Sequence, residues 1–389
     1  MVWASALSLR IDPLAALAEA QSSIDRALDC APDLILLFAT GHHLAAFPNF
    51  VRRLRSSYPN AHLLGCSAHG VIGAGREAER REALSLMAGV LPGVEVRPIR
   101  LEPQDAPDEM WLHSLCGESG DDCNLILLPE PFSCDVEAVL KAIDQQLPRA
   151  SCIGGLVSGA EGPDESTLLL DDEVYFDGLV GVSLSGKTRI QPIVSQGSRP
   201  VGEPMIVTRA QDNIVHELNI GRPTDALQRL YKGLSPREQQ LCHTSLVLGV
   251  EAKPQNKTFK QHEFLITDVQ GMEPNVGAMA LGRRVRNYQV VQFHLRDPDI
   301  AATSVKERLA QLSPQLVEHA RGLLLFSGTG RGEGMFGKPD GDVTVIRGAL
   351  GPLPIAGFFS AGEIAKIGST TYVHGTSAAL GVLSEHAAD

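Results

Sequence analysis

The chain has 389 residues, of which 43% are hydrophobic and 21% are charged, and this composition predicts a folded protein of two or three domains. Its net charge is −12 and aromatic residues make up 5% of it, which argues against nucleic-acid binding, because that needs a basic face with aromatic side chains. The longest apolar runs, such as 34–39 and 323–326, are too short to span a bilayer, so we expect no membrane insertion. The first residues lack the basic segment of a signal peptide, and the 7 cysteines include no Cys-x-x-Cys pair. Both features favour a cytoplasmic protein with reduced thiols.

One pattern occurs three times along the chain. A short apolar strand leads through a helix or loop to a second strand, which ends in a glycine-rich bend. The three copies comprise strand 33–38, a helix near 45–58 and bend 65–70; strand 124–128, helix 136–147 and bend 154–159; and strand 322–326, a long glycine-rich loop and bend 357–362. Each copy is followed by a further apolar strand, at 83–90, 179–184 and 371–382. The repetition predicts that the three bends occupy equivalent places on their sheets.

The segments between the copies favour mixed sheets over a purely parallel one. Segments 166–175, 189–195 and 205–218 have the alternation of antiparallel strands. The pattern changes near 219–224, where Thr224 or Asp225 can cap a helix. We therefore predict an α/β protein with two tandem domains, 1–218 and 219–389. Each domain has layered helices and mixed β-sheets, and the strand–helix–strand unit is repeated internally.

The densest glycine cluster, from Gly328 to Lys338, directly follows a strand. It nearly matches a phosphate-binding P-loop, but Pro339 stands where the Mg²⁺-binding Ser or Thr is required, and Glu333 replaces the third glycine of a dinucleotide motif. Nucleotide hydrolysis is therefore not expected. The loop can instead bring backbone N–H groups and the Arg331 guanidinium to a carboxylate or another anion. The alternative is a solvated loop in which Arg331 pairs with a surface acid.

The bend at 65–70 places Cys66, Ser67 and His69 together at a strand end. It is not a serine-hydrolase elbow, because His69 occupies the final glycine position of that motif. Cys66 is expected to be a small buried thiol and His69 to be partly exposed; the alternative is a redox or haem-ligand role. No set of residues has the spacing of a metal site.

The bend at 357–362 is the third copy's counterpart. Either Phe358 or Phe359 should face the core while its neighbour faces the other side. Ser360 and Glu363 should emerge near the glycine-rich loop, where Glu363 can accept an ammonium group or cap the local backbone. Loop 327–337 and bend 357–363 are therefore predicted to line one pocket with Arg331 and Glu363 as its polar anchors. The alternative is that these two side chains pair with each other.

These motifs resemble those of the FIST family over nearly the whole chain. The N-terminal half has Gly-Cys-Ser-Ala-His-Gly at 65–70, and the C-terminal half has Gly-Arg-Gly at 330–332 followed by Met-Phe-Gly at 335–337. The segment 354–364 reads Pro-Ile-Ala-Gly-Phe-Phe-Ser-Ala-Gly-Glu-Ile. The chain departs from the family pattern at His69, where an acid is common, and at Gly328, where a cysteine is common.

The resemblance implies a cytoplasmic sensory protein that binds a small ligand, such as an amino acid or a related small anion, and takes part in signal transduction. It is not expected to be an enzyme, and its output would pass to a histidine kinase or another signalling protein. One alternative is a haem-binding nitric-oxide sensor; another is an unrecognised hydrolase or transferase that uses Cys66 or Ser67. The candidate ligand-binding residues are Cys66, Ser67, His69, Ser327, Thr329, Gly330, Arg331, Gly332, Phe358, Ser360 and Glu363.

Overall fold

The computed structural model describes residues 1–116, 122–252 and 264–385. It divides into two compact units. Unit 1 consists of Met1–Val194, Val305–Val373 and Ala378–Asp389, and unit 2 of Ser195–Ser304 and His374–Ser377. No helix in the described part of the chain is long and apolar enough to cross a membrane.

The elements are numbered in chain order. The strands are β1 (Val2–Ser8), β2 (Leu34–Thr40), β3 (His62–Ala68), β4 (Gly70–Gly73), β5 (Arg76–Glu79), β6 (Leu84–Val90), β7 (Val94–Leu101), β8 (Asn124–Pro129), β9 (Ser151–Gly155), β10 (Leu168–Leu170), β11 (Glu173–Tyr175), β12 (Leu179–Gly186), β13 (Thr188–Ser195), β14 (Ser198–Gln211), β15 (Ile214–Leu218), β16 (Leu246–Glu251), β17 (Phe264–Met272), β18 (Met279–Leu281), β19 (Val290–Arg296), β20 (Ala320–Gly328), β21 (Ile355–Ser360), β22 (Glu363–Ile367), β23 (Thr370–His374) and β24 (Ala378–Glu385). The helices are α1 (Pro13–Ala27), α2 (Phe47–Ser57), α3 (Glu109–Cys116), α4 (Val136–Gln146), α5 (Pro223–Gly233), α6 (Pro236–Ser245), α7 (Pro298–Ala310), α8 (Pro314–Glu318), α9 (Gly332–Phe336) and α10 (Gly341–Leu350).

Unit 1 is built from three six-stranded sheets, so the predicted α/β class with mixed sheets is confirmed. The first has the order β1-β6-β2-β3-β10-β11, the second β23-β22-β9-β8-β12-β7 and the third β13-β24-β20-β21-β4-β5. At the centre of each sheet lies a parallel pair, β2 with β3, β8 with β9 and β20 with β21. An antiparallel strand flanks each pair, namely β6, β12 and β24.

The strand registers confirm that the three bends are equivalent. Gly65, Gly154 and Gly357 lie opposite Leu37, Leu127 and Leu325, respectively. A Cβ atom added to these glycines would lie 2.1, 2.0 and 1.8 Å from the carbonyl oxygen of the paired leucine. The same close backbone approach therefore requires glycine at the same place in all three copies.

The hairpin that follows each bend joins a neighbouring sheet. Hairpin β4–β5 pairs with β21, hairpin β10–β11 pairs with β3, and hairpin β22–β23 pairs with β9. Each copy therefore donates a hairpin to one neighbour and receives one from the other. This exchange joins segments distant in sequence into one unit.

The hydrophobic core lies in layers around the three sheets. A central cluster contains residues from all three copies, including Phe38, Ile153, Phe326 and Phe358. On the opposite faces, α1 and α2 cover the first sheet, α3 and α4 the second, and α7 and α10 the third. Sheets covered on both faces explain why the sequence shows continuous apolar runs at the central strands.

Unit 2 is a closed six-stranded barrel in the order β14-β15-β18-β17-β16-β19. Its interior is apolar, with Val207, Met279 and Leu295 among the fully buried side chains. Helix α5 lies in the region where the sequence predicted a helix, but Thr224 and Asp225 do not cap it, because the helix begins earlier, at Pro223, with Arg222 as its N-cap. Helix α6 begins at Pro236 behind a Ser235 capping box.

The compact units divide the chain differently from the predicted boundary at 218/219, which falls between β15 and α5 in the barrel segment. The reason is the hairpin exchange: β20 to β24 belong to sheets that also contain strands from the first half of the chain, so they pack in unit 1. The barrel strands interrupt that unit in sequence.

Two further expectations differ from the structure. The long loop predicted in the third copy contains α10, because Val343 and Ile346 pack against the third sheet although glycines flank the segment. The thiols were expected to be reduced, but Cys116 and Cys123 form a disulfide across the end of α3 and the start of β8. Their Cα atoms lie 5.4 Å apart, within the usual range for a disulfide.

Candidate functional site

The glycine-rich loop and the third bend meet at one edge of the third sheet, as the parallel pairing of β20 and β21 requires. Gly328 lies opposite Ser360 in the strand register. The Thr329 N–H donates to the Ser360 carbonyl at 3.1 Å. The polar residues that follow both strands are therefore brought together.

Arg331 is the largest fully buried side chain in the described part of the chain. Its Nε and Nη2 atoms donate to the two carboxylate oxygens of Asp342, at 2.8 and 2.6 Å. The Ser327 hydroxyl donates to Asp342 Oδ2 at 2.9 Å. The result is a bidentate, charge-assisted pair that joins the glycine-rich loop to the first turn of α10.

Two further carboxyl groups lie close to this pair. Glu363 is fully buried, and the Ser360 hydroxyl donates to its Oε1 at 2.9 Å. Glu77 in β5 is also buried, and its Oε1 accepts the Val343 N–H at 2.9 Å. We call Glu77, Arg331, Asp342 and Glu363 the buried charge cluster.

The cluster holds one cation and three carboxyl groups, and burial and proximity shift their protonation. Burial and, less strongly, the neighbouring Asp342 together raise the pKa of Glu77 from 4.5 to about 8. Glu77 is therefore mostly protonated at neutral pH. Burial alone would lower the pKa of Arg331, but Asp342 and, less strongly, Glu363 and Glu77 raise it above its ordinary value. The guanidinium therefore stays charged.

The hydrogen bonding of the cluster is incomplete. Within the part of the chain that the structure describes, Arg331 Nη1 and Glu77 Oε2 are buried and have no hydrogen-bond partner. A buried polar atom without a partner costs about 1–3 kcal/mol, and more when it is charged. The cluster therefore offers one donor and one further oxygen to a polar group that is not supplied by these residues.

The predicted pocket is closed in this structure. Arg331 and Glu363 are 1% and 0% exposed, so neither lines an open cavity. The Arg331 guanidinium pairs with the buried Asp342. The sequence had suggested a ligand, a surface acid or Glu363 as its partner. Two cavities of about 650 and 490 Å³ open elsewhere on unit 1, and none of the predicted ligand-binding residues lines them.

The side chains of Cys66, Ser67 and His69 in the first bend are not part of the buried charge cluster, although Gly70 at the end of this bend pairs with Glu79 in β5. Cys66 is fully buried in the central core, and burial raises the pKa of its thiol well above the ordinary value. The Ser67 hydroxyl accepts the Thr167 N–H at 3.0 Å. His69 is exposed, and its backbone N–H donates to Ser158 Oγ at 2.9 Å. The expected buried thiol and exposed histidine are thus both present.

Ser158 links the first and third bends. Its hydroxyl accepts the backbone N–H of His69 and donates to the carbonyl of Phe359. Phe358 packs in the central core and Phe359 against the helices of the third sheet, so neighbouring side chains face opposite sides as predicted.

The remaining predicted residues form the loop around Arg331. Thr329 is exposed and Gly330 partly exposed, while Gly332 is buried. Gly332 has a φ of 56° and lies against the Glu79 carboxylate, whose Oε1 accepts the Glu333 N–H at 2.8 Å. A side chain at Gly332 would clash with Glu79, so glycine is required there.

The residues considered for haem ligation do not fit that role. The Cys66 side chain packs among apolar residues of the central core and its thiol is held neutral, whereas His69 lies at the surface. The two do not face a common cavity. Among the described residues, no group of three or more His, Cys, Asp or Glu side chains is placed to hold a metal ion.

Sequence reasoning missed Glu77 and Asp342. Asp342 lies in the first turn of α10, a helix that was not predicted because glycines and Pro339 surround its start. Glu77 lies in β5, which joins the third sheet only through the hairpin exchange. The Arg-Glu-Ala-Glu segment at 76–79 contained one sign of Glu77's role: this acidic residue lies at a buried position of a short strand.

Two family models match the chain in tandem: the FIST N domain over residues 33–220 and the FIST C domain over residues 223–366. An uncharacterized protein of Mycobacterium tuberculosis is 31% identical over 349 residues, covering 90% of each chain. An uncharacterized protein of Mycobacterium bovis is 29% identical over 351 residues, again 90% of each. A solved structure, cyanuric acid hydrolase from A. caulinodans, covers both chains fully at 11% identity, but its TM-score of 0.33 supports no argument. Because the two models together span most of its length, the chain belongs to the FIST family.

Proposed function

We propose that this protein is a small-ligand sensor of signal transduction and that its ligand is a zwitterion, such as an amino acid, which binds at the buried charge cluster. The family's association with signal-transduction sensing supports the general role. Cytoplasmic location and output through a histidine kinase or another signalling protein are parts of the same proposal.

The observation that carries the proposal is the incomplete hydrogen bonding of the cluster. Arg331 Nη1 can donate to a ligand carboxylate. A ligand ammonium group beside Glu77 would favour release of the Glu77 proton, and the Oε2 atom of the resulting carboxylate can then accept a hydrogen bond from the ammonium group. A zwitterion carries both groups on one small molecule. A ligand that forms hydrogen bonds with both atoms removes the free-energy cost of leaving each of them buried without a partner, and this favours its binding.

Binding would open the loop above the cluster. Helix α9 begins at Gly332, and its C-cap is Gly337, which has a φ of 67°, so glycine stands at both ends of this five-residue helix. Such positions absorb changes in φ and ψ at low cost. The ligand-bound state would hold α9 away from Glu79, and this displacement would be the signal passed to a partner.

The chemistry of the first bend favours binding over covalent catalysis. The thiol of Cys66 is fully buried and its raised pKa keeps it protonated, which is unfavourable for a nucleophile. The Ser67 hydroxyl is buried and occupied by the Thr167 N–H. We therefore propose a non-enzymatic role.

The test is a thermal-shift screen of the twenty amino acids, followed by calorimetry on the wild type and on Arg331→Lys. Lysine keeps a cation beside Asp342 but cannot present the Nη1 donor. We expect the variant to bind the identified amino acid about 10- to 100-fold more weakly, as expected for a hydrogen bond to a charged group.

The matched control is Arg52→Lys on the exposed face of α2, which should bind as the wild type does. Equal affinity of the wild type and Arg331→Lys would refute the cluster as the ligand site. The sensor proposal itself would fail if no amino acid stabilised the wild type at millimolar concentration.

A further inference from the structure

The three copies share a contact between a helix and the hairpin donated by a neighbour. Arg55, Asp144 and Arg347 each lie ten residues before the equivalent glycines Gly65, Gly154 and Gly357. They therefore occupy the same position near the C-terminal ends of α2, α4 and α10.

The hairpins also have an equivalent position. Leu169, Ile364 and Ile72 pair with the three glycines, and two residues later stand Asp171, Lys366 and Ala74, respectively. Asp171 and Ala74 both have a positive φ, of 51° and 48°. The backbone thus presents the same turn in the first and third sheets.

Two of the three contacts are ion pairs. Arg55 Nη2 lies 3.1 Å from Asp171 Oδ1 in the first sheet. The charges are reversed in the second sheet, where Lys366 Nζ lies 3.9 Å from Asp144 Oδ1. In the third sheet the helix position is again a cationic residue, Arg347, but the hairpin position is Ala74, which carries no charge.

A cavity of about 490 Å³ occupies the third contact. It is lined by Gly75, Arg76, Asp340, Thr344, Arg347, Gly348 and Pro352. In the described part of the chain, neither Arg76 nor Arg347 makes a side-chain hydrogen bond or an ion pair. Asp340 is the one acid of the lining, and its Oδ1 is already occupied by the Glu77 N–H at 2.6 Å.

We propose that this cavity binds a small dianion, which supplies the negative charge that Ala74 lacks. One anionic group takes the place that the Asp171 carboxylate has in the first sheet and binds Arg347. The second charge lies at Arg76, and the Thr344 hydroxyl donates a further hydrogen bond. A phosphate and a dicarboxylate share this chemistry, because guanidinium groups bind both in bidentate geometry. The volume lies in the range of small-molecule sites.

The cavity shares no lining residue with the buried charge cluster, although Asp340 in its lining accepts the Glu77 N–H. Its residues are exposed or at the rim of an open cavity, whereas the cluster is closed. Binding here needs no movement of α9.

The test is calorimetry on the full chain with inorganic phosphate, with succinate and with acetate as a monoanion. We expect phosphate or succinate to bind at least about tenfold more tightly than acetate. The dianion that binds more tightly shows whether the natural ligand carries a phosphate group or two carboxylates. Arg347→Gln should lose this binding.

The decisive variant is Ala74→Asp, which restores the acid found in the first sheet. Aspartate tolerates a positive φ, so the variant should fold, raise the melting temperature and lose dianion binding at least about tenfold. Its matched control is Ala74→Asn, which has the same shape without the charge and should bind as the wild type does. The proposal is overturned if dianions bind no better than acetate, or if Ala74→Asp binds them as tightly as Ala74→Asn.

Discussion

The protonated state of Glu77 makes a specific prediction about how stability depends on pH. Glu77 is buried in the charge cluster, beside Asp342, and its pKa is raised from 4.5 to about 8. The folded protein therefore retains a proton that the unfolded chain loses near pH 4.5. A carboxyl group with a raised pKa stabilises the folded state fully below the unfolded pKa, and this contribution is lost as pH rises through the folded pKa.

The magnitude follows from the size of the shift. Each unit of pKa difference corresponds to about 1.4 kcal/mol, so a shift from 4.5 to about 8 corresponds to a loss of about 4–5 kcal/mol between these pH values. We take about 2–5 kcal/mol as the expected range, because Glu77 titrates together with Asp342 and a local opening that admits water would reduce the loss.

The perturbation is Glu77→Gln, which mimics the protonated carboxyl group and retains an oxygen for the Val343 N–H. The free energy of unfolding of the wild type should fall between pH 5 and 8, whereas that of the variant should change much less over the same range. The assay is urea denaturation at half-unit pH intervals, compared with wild type and with Glu173→Gln, an exposed glutamate in β11 of the equivalent hairpin. Parallel pH profiles of the wild type and Glu77→Gln would refute the reasoning, as would an equal effect of Glu173→Gln.

Two further substitutions test the packing of unit 1. Gly154→Ala should lower the free energy of unfolding by about 1–3 kcal/mol or more, because the added Cβ would lie 2.0 Å from a backbone carbonyl oxygen. Gly162→Ala, with no atom within 4 Å of its Cβ, should change it by less than about 0.5 kcal/mol in denaturant titrations, and equal effects would contradict the required backbone approach. Asp342→Asn should cost about 3–5 kcal/mol, because it leaves the buried Arg331 guanidinium without its charged partner. A melting temperature within a degree of the wild type would show that the pair contributes little.

The sequence by itself determined the repeated unit and its class. Apolar runs covered on both faces and a glycine at the same step of each second strand were enough to predict three equivalent bends in an α/β protein. These features depend on neighbours close in the chain, where periodicity and backbone geometry act directly. The convergence of the glycine-rich loop and the third bend followed from parallel pairing, which is also a local relation.

Only the tertiary structure decided what surrounds Arg331. Glu77 and Arg331 are far apart in sequence, and the hairpin exchange brings β5 beside α10. Strand exchange between sheets leaves no mark on local periodicity, so the sequence could not indicate it. For the same reason, the sequence alone does not show that Ala74 stands where the equivalent hairpins have a charged residue. The difference appears only when the hairpins of all three sheets are compared. The physical cause is that a buried charge is satisfied by whichever group folding brings within a few ångströms, and distance along the chain does not determine that group.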